Sequence, residues 1–166
     1  VLRVPEYAVA VVRPGIFLYG GEIGTGLVVP EPVVALRARV VHIKEAAPGD
    51  SVGYGATYHA QGAERWATLS IGYGDGLSRA LGNRGHVLLR GVRAPIIGRI
   101  SMDVTVVNIT GVPDVGRGDI ATLIGTDGEA RITLDEVAGL AGTISYEVLT
   151  GLTPRIPRIW KGLDGS

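Results

Sequence analysis

The chain has 166 residues, 46% of them hydrophobic and 19% charged, with 16 Lys+Arg balancing 16 Asp+Glu and no cysteine. That length and apolar content suffice for one domain with a buried core. Zero net charge removes the electrostatic footprint that nucleic acid or an anionic membrane demands, and the absence of cysteine excludes disulfides, thiolate zinc sites and a cysteine nucleophile. No apolar run approaches the roughly 20 residues that span a bilayer, and the N-terminus lacks signal-peptide order, so a cytoplasmic chain is expected. Glycine supplies 26 residues, about twice its usual ~7% share, which predicts many short elements joined by tight turns. The basic residues include only two lysines, Lys44 and Lys161, so lysine chemistry has few candidates.

Ala8 to Val12 is a compact run of alanine and valine closed by Arg13-Pro14-Gly15, and it reads as a strand buried on both faces. Gly24 to Pro32 is punctuated like a linker, and a boundary is placed near Pro32. Beyond it the period becomes two. From Val33 to Lys44, Leu36, Ala38 and Val40 alternate with Arg37 and Arg39, the mark of a half-buried antiparallel strand. Ser51 to Tyr58, Trp66 to Gly72, His86 to Leu89, Val92 to Ile97, Val104 to Ile109 and Ile120 to Ile124 follow as β-rich runs. Turns are expected at Arg90-Gly91, Pro113-Asp114 and Asp127-Gly128. Thr133 and Glu136 form a capping-box pattern ahead of a short helix ended by Gly142. A second helical turn covers Tyr146 to Leu149 with Gly151 as its stop, and Arg155 to Trp160 reads as a last strand. The pattern predicts a mainly β chain, an antiparallel barrel or sandwich.

Local chemistry is sparse. His42, His59 and His86 share no metal-ligand spacing, so no metal is expected. Gly72, Gly74 and Gly76 are followed by no lysine, as a phosphate loop would need, and Arg90 and Arg93 read as solvated charges flanking a hairpin. In SIGYGDG, Tyr73 is delivered into a glycine-rich bend at a strand end, where positive φ is available. In GRISMD, Arg99, Met102 and Asp103 share a strand entry, and in TISYE, Tyr146 lies near a helix start where backbone donors favour an anion.

Six ordered segments, VRPGIFLYGG, SVGYGATY, SIGYGDGLSR, GRISMD, GRGDIATLIG and TISYEVLTGLTPRIPR, together resemble the C-terminal portion of the alanine racemase family over nearly the whole chain. The resemblance implies a (β/α)₈ barrel, holding pyridoxal phosphate, followed by a β-domain, in a homodimer whose active sites borrow residues from the partner. Residues 1–32 would be the end of the barrel and its linker, and 33–166 the C-terminal β-domain. By the same resemblance Tyr73 is the tyrosine base, opposite a cofactor-bearing lysine that lies upstream of Val1. Arg13 would donate to the pyridine nitrogen, Gly15, Ile16 and Tyr146 would hold the phosphate, and the Met102 backbone N–H would take the substrate carboxylate. Arg99 and Ile144 would line the entrance. The implied activity is interconversion of L- and D-alanine for peptidoglycan, absent from this chain on its own for want of the lysine. Racemisation of another amino acid such as serine, or a non-catalytic β-barrel dimerisation module, are the competing readings.

Overall fold

The structure, a computed structural model, describes residues 11, 13, 15–22, 24 and 28–162. The strand expected over Ala8 to Val12 lies largely outside the described residues, as does part of the expected linker. Nine strands and two helices follow: β1 (Leu36–Ala46), β2 (Ser51–Val52), β3 (Tyr58–His59), β4 (Glu64–Leu69), β5 (His86–Leu89), β6 (Val92–Ile97), β7 (Thr105–Asn108), β8 (Ile120–Asp127), β9 (Ala130–Ile132), α1 (Leu134–Ala141) and α2 (Ser145–Gly151).

The strand pairings are antiparallel and run β1-β4-β7-β6-β5-β8-β9, with a further pairing of β8 to β1 that closes the first six into a barrel. Strand β1 makes the closure possible. Its first residues, Leu36 to Arg39, pair with β8, and from Val40 onward it pairs with β4, with a register shift between Val40 and His42. A bulge of this kind bends a strand and lets it serve two neighbours. The expected alternation is seen there, with Leu36, Ala38 and Val40 buried and Arg37 and Arg39 exposed. Leu69, Leu88, Leu89, Val107 and Ile109 fill the interior with no more than a trace of exposure. A smaller cluster of Ala46, Ala60, Trp66 and Ile97 packs beside it.

Several expectations are corrected. The run from Ser51 to Tyr58 is two strands of two residues, because left-handed backbone at Gly53, Gly55 and Ala56 turns the chain between them. Arg155 to Trp160 is irregular rather than a strand. Pro154 and Pro157 lack the N–H a ladder needs, and the closed barrel spends its main-chain groups on its own strands. Thr133 caps α1 as expected, its Oγ1 accepting the Glu136 N–H at 3.0 Å. The Glu136 carboxylate accepts instead from Arg93, with Nη2 2.9 Å from Oε2, which fastens α1 to β6. Arg90 and Arg93 are both exposed, as expected of solvated charges, and each also takes a partner: Arg90 meets Asp119 at 3.0 Å, and Arg93 joins two elements. Helix α2 runs through Gly151 instead of stopping before it, with Leu152 as its C-cap.

Candidate active site

Helix α2 organises the site from both of its ends. At its start, Ile144 is the exposed N-cap and Tyr146 extends half-exposed from the first turn. The Tyr146 hydroxyl accepts the N–H of Ile16 at 3.1 Å, in the 3₁₀ turn Gly15–Tyr19. Gly15 is exposed there while Ile16 is buried. A hydroxyl with a proton still to give, beside main-chain N–H groups, is a donor set suited to a phosphate ester. Arg13 lies two residues ahead of this turn and is exposed.

Beyond the other end of α2, Thr153 donates its N–H to the Asp75 carbonyl at 3.0 Å and its hydroxyl to the Gly74 carbonyl at 3.1 Å. This docks the 3₁₀ turn Tyr73–Asp75, whose first residue is the predicted base. The left-handed residue of the bend is Gly76, at φ 99°, so Tyr73 itself occupies ordinary helical space. Tyr73 N–H donates to Ser101 O at 3.0 Å and Gly74 N–H to Met102 O at 2.8 Å, laying the tyrosine turn directly on the methionine turn. The fit leaves no room for a side chain at Gly72, where a methyl group would overlap the carbonyl oxygens of both Ser101 and Met102. Tyr73 and Met102 are both partly exposed.

Arg99 is brought against a third segment, the β2–β3 hairpin. A Cβ on Gly53 would stand 3.2 Å from Arg99 N, and one on Gly55 3.0 Å from Arg99 Nη1. Between those glycines is Tyr54, 70% exposed, at the hairpin tip. Gly53 and Gly55 both have φ near 75°, and Ala56 follows at φ 44°, a conformation that is costly for a residue with a Cβ. The SVGYGATY segment carries this tyrosine, which has no role among the expected site residues. The signal that marks it is a tyrosine held between two glycines.

The hairpin is secured at its foot by one carboxylate. Glu64 accepts from the Trp66 indole at 2.6 Å, from the Tyr58 hydroxyl at 3.0 Å, from the Gln61 N–H at 3.0 Å and from Asn108 Nδ2 at 2.9 Å. Burial pushes the Glu64 pKa up, but the hydrogen bonds from Trp66, Gln61 and Tyr58 outweigh it and hold the carboxyl below its usual range. Burial raises the Tyr58 phenol above its ordinary value, with the anionic Glu64 adding to that rise. Arg155, also left unassigned by the sequence, spans Asp75 and Asp103, and the hydrogen bond it donates to Asp103, then the charge of Asp75, hold it more firmly protonated.

Among the described residues, the predicted positions thus form three groups, of which α2 and the residues after it link the first two. Tyr146 meets Ile16, the Tyr73 turn meets Met102, and Arg99 meets the Tyr54 hairpin.

The chain is a small closed antiparallel barrel that presents tyrosines and main-chain donors from surface turns. Residues 33–160 match the family model described as alanine racemase, C-terminal domain, and the chain belongs to that family. An alanine racemase from Sorangium cellulosum is 43% identical over 165 residues, covering 96% of this chain and 44% of its own length. The crystal structure of the biosynthetic alanine racemase from Pseudomonas aeruginosa superposes with a TM-score of 0.83 at 39% identity, over 91% of this chain and 42% of that one. That of Bartonella henselae alanine racemase with covalently bound pyridoxal phosphate gives 0.81 at 37% identity, over 87% and 40%. That of Bacillus anthracis alanine racemase with bound L-Ala-P gives 0.79 at 38%, over 87% and 38%. The chain therefore spans less than half the length of each of these relatives.

Proposed function

We propose that this chain is the C-terminal part of a pyridoxal-phosphate-dependent alanine racemase, interconverting L- and D-alanine for the cell wall. In this reading the enzyme is a cytoplasmic homodimer whose sites are shared across the interface. The observation that carries the reading is the Tyr146 hydroxyl accepting the Ile16 N–H across 130 residues of chain, which gathers donors of the kind a phosphate takes. The relatives with bound pyridoxal phosphate and L-Ala-P support it. Residues 1–32 then belong to the end of the barrel and its linker, and 33–166 to the β-domain.

Pyridoxal phosphate, when bound, supplies the electron sink that lets the Cα proton of alanine leave. Tyr146, Gly15 and Ile16 hold its phosphate, and Arg13 donates to its pyridine nitrogen. A guanidinium keeps its proton throughout the physiological range, so it would leave that nitrogen unprotonated. The Met102 N–H takes the substrate carboxylate, while Arg99 and Ile144 line the entrance. Inverting Cα needs an acid/base group on each face, and this chain contributes a tyrosine opposite a lysine. Lys44 is unsuited to be that lysine: its Nζ lies 2.9 Å from Asp50 Oδ2 and 5.3 Å from the centre of the Trp66 ring. Lys161 sits in the exposed tail. The chain alone, mixed with pyridoxal phosphate, accordingly racemises nothing.

Two tyrosines can serve as the base, and they differ in setting. Tyr73 is the residue to which the resemblance pointed. A specific observation favours Tyr54: it stands at the exposed tip of a hairpin strained at Ala56, where the neighbouring Gly55 backbone lies against the Arg99 guanidinium, and such strain persists where geometry is needed for function. Tyr73, tied down through its backbone, is placed to form a wall beside the substrate.

Tyr54→Phe and Tyr73→Phe decide between them in the racemase carrying this chain, with racemisation and Cα deuterium exchange measured from both enantiomers. Tyr54→Phe is expected to slow racemisation by about 10²- to 10⁴-fold. It should leave exchange intact from the one enantiomer that the lysine serves. Tyr73→Phe is expected to cost much less and to affect both enantiomers alike. The opposite ranking returns the base to Tyr73, and small equal losses from both variants remove the proposed chemistry.

A further inference from the structure

Arg155 lies in the irregular segment after α2, with half of its side chain exposed, yet its guanidinium is committed on two sides. Its Nε is 3.2 Å from Asp75 Oδ1, and its Nη2 donates to Asp103 Oδ1. Asp75 is nearly buried, and its second oxygen accepts the Gly72 N–H at 2.9 Å. One arginine thus joins a carboxylate on the Tyr73 turn to a carboxylate on the Met102 turn.

The two turns do not need it to stay together. Main-chain bonds from Tyr73 to Ser101 and from Gly74 to Met102 already fasten them. What Arg155 adds is charge. Asp103 directly follows Met102 and its side chain is 62% exposed, so without a partner it would set an open anion beside the Met102 N–H. An anionic ligand brought to that N–H would be repelled, and like charges a few ångströms apart at a partly exposed site change affinity measurably.

We infer that Arg155 is a positioning residue that cancels the charge of Asp103 and so keeps the Met102 backbone N–H open to a substrate carboxylate. The inference rests on the racemase reading given above, in which that N–H receives the carboxylate. Asp75 serves in this arrangement as the buried anchor that holds the guanidinium where Asp103 can reach it.

The test is made in the racemase carrying this chain. Arg155→Ala is expected to raise the KM for alanine roughly tenfold while kcat stays within about twofold, with Arg155→Lys between it and the parent. Adding Asp103→Asn to Arg155→Ala should return KM most of the way, because the charge to be cancelled is gone. The KM difference between parent and Arg155→Ala should also shrink as salt is raised from about 0.01 to 0.5 M, since exposed charges are then screened. Amide hydrogen exchange at Tyr73 and Gly74 should be unchanged in Arg155→Ala. A fall in kcat with unchanged KM, no rescue by Asp103→Asn, or faster exchange at those two amides would each make Arg155 a structural clamp and overturn the inference. If the unsubstituted enzyme does not racemise alanine, the racemase reading fails. If it does and the KM ignores Arg155, only the role given to Arg155 fails.

Discussion

Tyr54 stands on a hairpin whose ladder is two residues long on each side, whereas Tyr73 opens a turn whose N–H groups are taken by Ser101, Met102 and Gly72 carbonyls. The hairpin draws its support from side chains below it, where Glu64 gathers four donors around Tyr58 and Trp66. The Tyr73 turn draws its support from main chain pressed on main chain. Side-chain support holds the foot of the hairpin, and main-chain support fixes the backbone of the Tyr73 turn. A group that must meet a proton and withdraw is suited to the first setting, and a wall is suited to the second.

The contrast is sharpest for an added methyl group. Gly72→Ala is expected to destabilise by about 2–4 kcal/mol, because neither carbonyl in its way can move without breaking the turn. Thermal unfolding should show Tm lower by roughly 5–15 °C. Gly55→Ala meets only the end of the flexible Arg99 side chain, so its cost is the left-handed backbone alone, about 1–2 kcal/mol. Equal losses from the two substitutions would erase the distinction between the turns.

Glu64→Gln probes the hairpin's foot. An amide offers one acceptor oxygen and aims N–H groups at other donors, so a loss of about 1–3 kcal/mol is expected by denaturant titration. Hydrogen exchange from Ser51 to His59 should quicken while exchange at Tyr73 and Gly74 does not change.

The same carboxylate sets a pH dependence. Because the Glu64 pKa is depressed in the folded chain, its contribution is present above the unfolded value of ~4.3 and is lost as pH falls through the lower folded value. Stability measured between about pH 6 and 3 should decline, and Glu64→Gln should flatten part of that decline. The smallest effect belongs to Asp50, whose carboxyl is held low by its hydrogen bond with Lys44 and then by the Ala47 N–H. Asp50→Asn should shift Tm near the limit of detection, since an exposed pair contributes little.

Much of this was legible in the chain itself. The Leu36, Ala38, Val40 alternation, the Thr133 cap and the Arg90-Gly91 turn depend on neighbours within a few residues, and each stands where the pattern places it. Features that depend on distant partners were not legible. Barrel closure turns on β1 leaving β8 for β4 at Val40, and nothing local reports which strand will lie alongside. Glu136 satisfied a helix-start pattern, but Arg93, 43 residues away, takes its carboxylate. Arg155 lies 52 residues from Asp103, so no spacing rule could connect them. Tyr54 was visible as a tyrosine between glycines, and what distinguishes it from Tyr73 is the strain at Ala56 and the packing of Gly55 against the Arg99 guanidinium, both properties of the folded hairpin.

The bond between Ile16 and Tyr146 has a consequence for how the molecule is made. Its two ends are separated by 130 residues, so the turn at Gly15 finds its partner only after the barrel and α2 exist. At ribosomal speeds of about 5–20 residues per second, that wait lasts roughly 7–26 s during synthesis. Closing so long a loop yields no reward until the last helix is in place, which places this contact late in assembly. The residues proposed to grip the phosphate therefore come together last, and a ligand that bridges them would act on the end of folding rather than on its beginning.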